Sequence, residues 1–271
     1  MTVMPAGNPG FFRGYRSSSP TKIQTRQDPS ERFETIMSSL DDTLQANLQL
    51  VHERINLAAR SAQRTADVVL LVAVSKTFTA EAVVAAARCG QRDFGENYVQ
   101  EAVDKMAQVR ALAPALALRW HFIGPIQSNK TRAIAEHFDW VQSVDRMKVA
   151  QRLSEQRPPD RPPLNMLLQV NISGEASKGG VVPDEVPALA TAIAALPRLS
   201  LRGLMAIPEP ETAPARQRVP FARMRQLFDD LRADGLKLDT LSMGMSGDLE
   251  AAIAEGSTMV RVGTAIFGKR Q

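Results

Sequence analysis

Three groups of residues in this chain have types and spacings suited to chemistry on a phosphorylated carbonyl compound. Lys76 follows directly on an apolar run at residues 68–74. An amine there, partly desolvated and near a cation such as Arg261, would give up its proton more readily and attack an aldehyde. Ser246-Gly247 and Gly263-Thr264 are the second and third groups. They offer hydroxyls and small residues whose backbone N–H groups can come close to an anion. Each group also has a plainer reading. A single lysine of this kind is more often a loop residue paired with Glu81 or Asp93, and single glycines often only make tight turns. The three histidines, His52, His121 and His137, show no metal-ligand spacing. His52 and His137 read as solvated helix residues, and His121 as a core histidine or the wall of a pocket. No Ser/His/Asp arrangement is legible, and Cys89, at a helix end, reads as structural.

These residues need elements to position them, and the hydrophobic pattern supplies a regular alternation. Leu44, Leu48, Val51 and Ile55 recur at helical spacing, which predicts an amphipathic helix over 42–63. The run at 68–74 reads as a strand buried on both faces. Residues 80–88 read as a helix opened by Thr79 and stopped by Gly90. Further strands are expected at 92–95, 119–123, 140–143, 164–172, 200–206, 240–242 and 258–262. Helices are expected at 98–111, 130–138, 146–155, 185–196, 221–234 and 249–255. Eight βα units over about 230 residues predict an α/β fold, a single (β/α)8 TIM barrel, in preference to a flavodoxin-like open sheet. In a barrel, chemistry gathers where strands end, and the loops after the seventh and eighth strands commonly bind phosphate. Ser246, Gly263 and Thr264 fall in those loops, and Lys76 at the end of the first strand. Lysine plus phosphate cradle is the minimal kit for pyridoxal phosphate, although a Schiff-base aldolase acting on a sugar phosphate would need the same parts.

Composition narrows the classes. Of 271 residues, 44% are hydrophobic and 23% charged, an ordinary globular balance. The net charge of +4 from 33 Lys+Arg and 29 Asp+Glu is scattered, and aromatics are 5%. Neither suggests nucleic acid or a membrane as partner. One cysteine leaves no disulfide framework and fits a reducing, cytoplasmic setting. No apolar run approaches the roughly 20 residues that cross a bilayer. Residues 1–39, with Gly7, Gly10, Gly14, Ser17-Ser18-Ser19-Pro20 and Pro29, read as a disordered extension, and 40–271 as the barrel domain. Translation starting at Met37 would account for the same change of character.

Longer stretches carry a family likeness. Val74-Ser75-Lys76, Phe94-Gly95-Glu96-Asn97-Tyr98, Trp120-His121-Phe122-Ile123-Gly124, Gln127-Ser128-Asn129-Lys130, Gly203-Leu204-Met205, Ser242-Met243-Gly244-Met245-Ser246 and residues 261–268 occur in unbroken order. Over residues 40–270 the chain resembles the pyridoxal phosphate homeostasis protein family (YggS/PROSC type). The resemblance implies a barrel like the N-terminal domain of alanine racemase, with pyridoxal 5′-phosphate held as a Schiff base on Lys76. It further implies that Arg261 faces the pyridine nitrogen, that Ser246, Gly263 and Thr264 hold the phosphate, and that Asn97 and Met205 line the ring. The chain departs from the family pattern at Gly247, where Asp is usual, and at Gly174.

The expected function is intracellular buffering or delivery of the cofactor with little or no turnover, the alternative being a weak racemase-like enzyme. A racemase needs a second base, in alanine racemase a tyrosine from a partner's C-terminal β-domain. The only tyrosines here are Tyr15 and Tyr98, and the eighth unit ends near Gln271. A cation at Arg261 would also leave the ring nitrogen unprotonated and weaken it as an electron sink. A monomer is expected, with pyridoxal phosphate-dependent apo-enzymes as recipients.

Overall fold

The strands are short and parallel, and they close on themselves. In the computed structural model, which describes residues 29–175 and 179–269, they are β1 Leu70–Val74, β2 Asp93–Glu96, β3 Arg119–Phe122, β4 Trp140–Val144, β5 Leu164–Gln169, β6 Leu199–Met205, β7 Thr240–Ser242 and β8 Met259–Val262. Their order around the barrel is the order in the chain. β8 closes against β1 in parallel, with Val72 opposite Arg261 and Ala73 opposite Val262. This is the (β/α)8 architecture that the alternation predicts, and it removes every open sheet edge.

The helices are α1 Pro29–Ser61, α2 Ala80–Arg88, α3 Val99–Leu112, α4 Thr131–His137, α5 Met147–Gln156, α6 Val186–Ala194, α7 Pro214–Ala233, α8 Leu249–Ala254 and α9 Thr264–Phe267. Local chemistry explains their ends. Thr79 caps α2 by accepting from the Ala82 N–H, and Gly90, at φ +99°, lies just beyond its end. Among the described residues only the four-residue α9 follows β8, too short to cover a strand. The gap in the outer ring is filled by α1, which packs against α2, α8 and α9. Its Leu44, Leu48, Val51 and Ile55 stripe is buried.

Two expectations are corrected. Of the extension expected to be disordered, residues 1–28 lie outside the described residues, and 29–39 belong to α1. Pro29 stands first, where a missing N–H costs nothing, and Glu31 falls in the opening turn. α7 begins at Pro214 although Pro220 lies inside it. The proline had suggested a start at 221.

Candidate functional site

The carboxyl ends of the strands bring Lys76, Asn97, Met205, Ser246, Arg261, Gly263 and Thr264 to one mouth of the barrel. Lys76, half-buried, lies two residues past β1. The peptides on both sides of it are tied down. Ser75 N–H bonds to Gly95 O at 3.0 Å and its hydroxyl donates to Glu96 Oε1 at 2.7 Å. Lys105 Nζ donates to Ser75 O at 2.8 Å, to Glu96 Oε1 at 2.8 Å and to Glu101 Oε1 at 3.0 Å. Thr77 N–H reaches the same Glu101 oxygen at 2.6 Å and holds φ at +68°, uncommon for a β-branched residue. Burial pushes the Glu96 carboxyl above its ordinary range, and the attraction of Lys105 offsets only part of that. Phe78 stacks on Phe267 at 4.9 Å, joining this loop to α9. Asp93, proposed above as a partner for Lys76, is instead engaged by Arg119 and His121.

Arg261 comes from β8 and is 4% exposed. Its two terminal nitrogens donate to Ser242 Oγ at 2.6 Å and to Ala206 O at 3.0 Å. Burial lowers its pKa to about 10, against which Asp248 pulls upward, so at neutral pH it is a buried cation. Asn97 follows β2, and its Oδ1 is buried with no hydrogen-bond partner. It backs onto Gly124, where a Cβ would lie 2.2 Å from Asn97 O. Met205 packs in an inner cluster with Val72, Trp140, Leu167 and Met259, the apolar floor beneath the mouth.

In the loop after β7, Arg54 of α1 holds Ser246 O at 3.0 Å, and Asp248 accepts from Met245 N–H at 2.6 Å. The departure at Gly247 therefore leaves an aspartate one position later to brace the loop. Gly174 lies in open space at φ +75°. Gly263 lets β8 run close to β1, since its Cβ would be 3.1 Å from Val74 O, and its carbonyl starts α9 by accepting from Ile266 and Phe267 N–H.

Sequence reasoning missed four contributors: Lys105, Gln142, Asp93 as a partner of His121, and Arg54. A lysine or arginine on a helix normally reads as solvated, and a glutamine in a strand carries no signal of its own. His121 is a core histidine, fully buried, while His52 and His137 are exposed on helices. Among the described residues no group of His, Cys, Asp and Glu is arranged to hold a metal.

The donor set fits an aldehyde-bearing, phosphorylated aromatic cofactor. A lysine lies two residues past one strand, a buried cation lies on the adjoining one, and an orphaned Asn97 oxygen awaits a donor. A family model described as "Alanine racemase, N-terminal domain" matches residues 33–271. A pyridoxal phosphate homeostasis protein of Pseudomonas aeruginosa is 61% identical over 228 residues, which is 84% of this chain and 96% of that one. The chain belongs to the pyridoxal phosphate homeostasis protein family. PipY, a solved structure from Synechococcus elongatus PCC7942 with PLP bound, is similar at 38% identity and TM-score 0.69, covering 80% of this chain and 100% of that one. Alanine racemase of Clostridium difficile 630 shares the fold at 16% identity and TM-score 0.64, over 83% of this chain and 56% of that enzyme. The homeostasis family is thus built on the racemase-type barrel.

Proposed function

We propose that the protein binds pyridoxal 5′-phosphate reversibly as a Schiff base on Lys76 and buffers or delivers it, with little or no turnover. The observation that carries this reading is Arg261: a buried guanidinium in the mouth, on the strand that adjoins the one ending in Lys76, held by two neutral acceptors. Membership of a family of homeostasis proteins and likeness to a PLP-bound relative support it. Ser246, Gly263 and Thr264 would hold the phosphate, and Asn97 and Met205 would line the ring.

The bound group supplies an aldehyde carbon and a conjugated ring. Lys76 would supply the amine that condenses with that aldehyde, the carbonyl oxygen leaving as water. Arg261 keeps its proton at neutral pH and so would donate to the ring nitrogen without protonating it. That leaves a weak electron sink and argues against carbanion chemistry. Tyr98 is 54% exposed and lines one cleft with Asn97, Phe122, Gln127 and Lys130. The setting we propose is cytoplasmic, the molecule monomeric, and the recipients pyridoxal phosphate-dependent apo-enzymes. Among the described residues no helix is long and apolar enough to cross a membrane.

Titration with pyridoxal phosphate is expected to turn the protein yellow, and borohydride to fix a pyridoxyl group on Lys76 as located by mass spectrometry. Lys76→Ala is expected to stay colourless. A wild-type protein that stays colourless, or an adduct on another amine, overturns the reading. Robust Lys76-dependent deuterium exchange at the α-carbon of amino acids would replace the carrier by a racemase-like enzyme.

A further inference from the structure

The interior of a parallel barrel is normally filled by branched apolar side chains. Here one path through it is polar. Asp93, His121, Gln142, Ser242 and Arg261 project from β2, β3, β4, β7 and β8, all of them buried. His121 Nε2 lies 3.0 Å from Asp93 Oδ1, and Gln142 Nε2 lies 3.0 Å from His121 Nδ1. Ser242 Oγ is 2.7 Å from Gln142 Oε1 and 2.6 Å from the Arg261 guanidinium.

The direction of every bond is forced. Arginine only donates, so Ser242 accepts from it and passes its own proton on. The Gln142 oxygen takes that proton, which turns the amide nitrogen toward His121 Nδ1. His121 then carries its proton on Nε2 and donates to Asp93, which only accepts. Arg119, whose side chain is 54% exposed at the opposite end of the barrel, closes the chain on Asp93. All the links inside the barrel run one way, from Arg261 toward Asp93, and bonds aligned head to tail polarise one another.

We infer that Gln142 and Ser242 are positioning residues for Arg261, fixing its guanidinium plane through neutral acceptors with no carboxylate hydrogen-bonded to it. A carboxylate beside the guanidinium would have matched its charge. Its acceptors are instead a hydroxyl and a carbonyl, and the anion Asp93 is reached only through Ser242, Gln142 and His121. Arg119 already matches that anion. One N–H from each terminal nitrogen is committed, so the remaining donors have a single orientation to offer. The inference rests on the pyridoxal phosphate reading, in which Arg261 meets the ring nitrogen.

The test is a titration of wild type, Gln142→Met, Ser242→Ala and His121→Gln with pyridoxal phosphate. It records affinity, the position and pH dependence of the absorption band, the borohydride-fixed adduct, and the melting temperature without cofactor. Gln142→Met and Ser242→Ala are expected to weaken binding about tenfold, the scale of one lost hydrogen bond to a charged group. They are also expected to shift the band while still forming the adduct on Lys76. In His121→Gln the new amide accepts from Gln142 and donates to Asp93, so affinity is expected to stay within about twofold. Wild-type affinity and an unmoved band in both broken variants overturn the positioning role and leave the Lys76 reading intact. Absence of any adduct on wild-type Lys76 removes that reading and the inference with it. Should Gln142→Met fail to fold, Ser242→Ala carries the comparison alone.

Discussion

The side chain at Lys76 and the lack of one at Gly124 matter for the same reason: the mouth is built by close approach of backbone segments. A Cβ at Gly124 would overlap the Asn97 carbonyl, which is backbone and cannot swing aside. Gly124→Ala is therefore expected to cost about 1–3 kcal/mol in urea unfolding and to weaken pyridoxal phosphate binding by displacing Asn97. Gly247→Ala is the matched control, with nothing within 4 Å of its Cβ and an expected change within about 0.5 kcal/mol. Equal stability of the two variants would show that Asn97 is not wedged against that loop. At this scale the sequence was legible where a residue type breaks its context. Lys76 stood out because it ends an apolar run, and Arg261 through the family likeness of residues 261–268. Gln142 was invisible, since nothing in Trp140-Val141-Gln142 tells an inward amide from an outward one.

Between elements, the join of β2 to α3 carries a buried ion pair. Glu96 and Lys105 are both buried and meet at 2.8 Å, so removal of Lys105 leaves the Glu96 charge stranded, whereas Lys105 also has Glu101 at 3.0 Å. Lys105→Met is expected to lose about 3–5 kcal/mol of stability in chemical denaturation, and adding Glu96→Gln to recover much of it. A single variant as stable as wild type, or a double variant no better than Lys105→Met, would contradict the pairing. The sequence placed α3 within a residue at each end, yet did not show that its lysine turns inward. Helix periodicity reports which face is apolar, and Lys105 lies beside Ala102, Met106 and Val109 on that face, where a lysine is buried only if a partner waits. The long α1 was half read for a related reason: its buried stripe begins at Leu44, while its upstream turns carry Arg32, Glu34 and Ser38-Ser39 in place of a clear apolar repeat.

For the whole molecule, the barrel was legible by counting, because each strand's apolar run and each helix's opening residue punctuate the chain. What counting did not reveal was the polar path inside. That path makes stability depend on acidity. Burial holds the His121 imidazole below its ordinary 6.5, with its hydrogen bond to Asp93 opposing only in part. Asp93 is raised by burial, but its bonds from His121 and Arg119 outweigh that and hold it below 3.8. Above about pH 6.5 His121 is neutral both folded and unfolded. Below it only the unfolded chain gains the proton, so stability falls as pH drops, and the share from Asp93 is lost only in stronger acid. Between about pH 7 and pH 5 the melting temperature of cofactor-free wild type is expected to fall further than that of His121→Gln. Parallel declines would place the titration elsewhere. The seating of α1 has a consequence for synthesis. Asn47 on α1 bonds to Ile266 O at 2.8 Å, across 219 residues of chain, and Arg54 reaches Glu250 and the Ser246 carbonyl. On the ribosome, the part of α1 that faces α8 and α9 must therefore wait uncovered until the end of the barrel has left the exit tunnel.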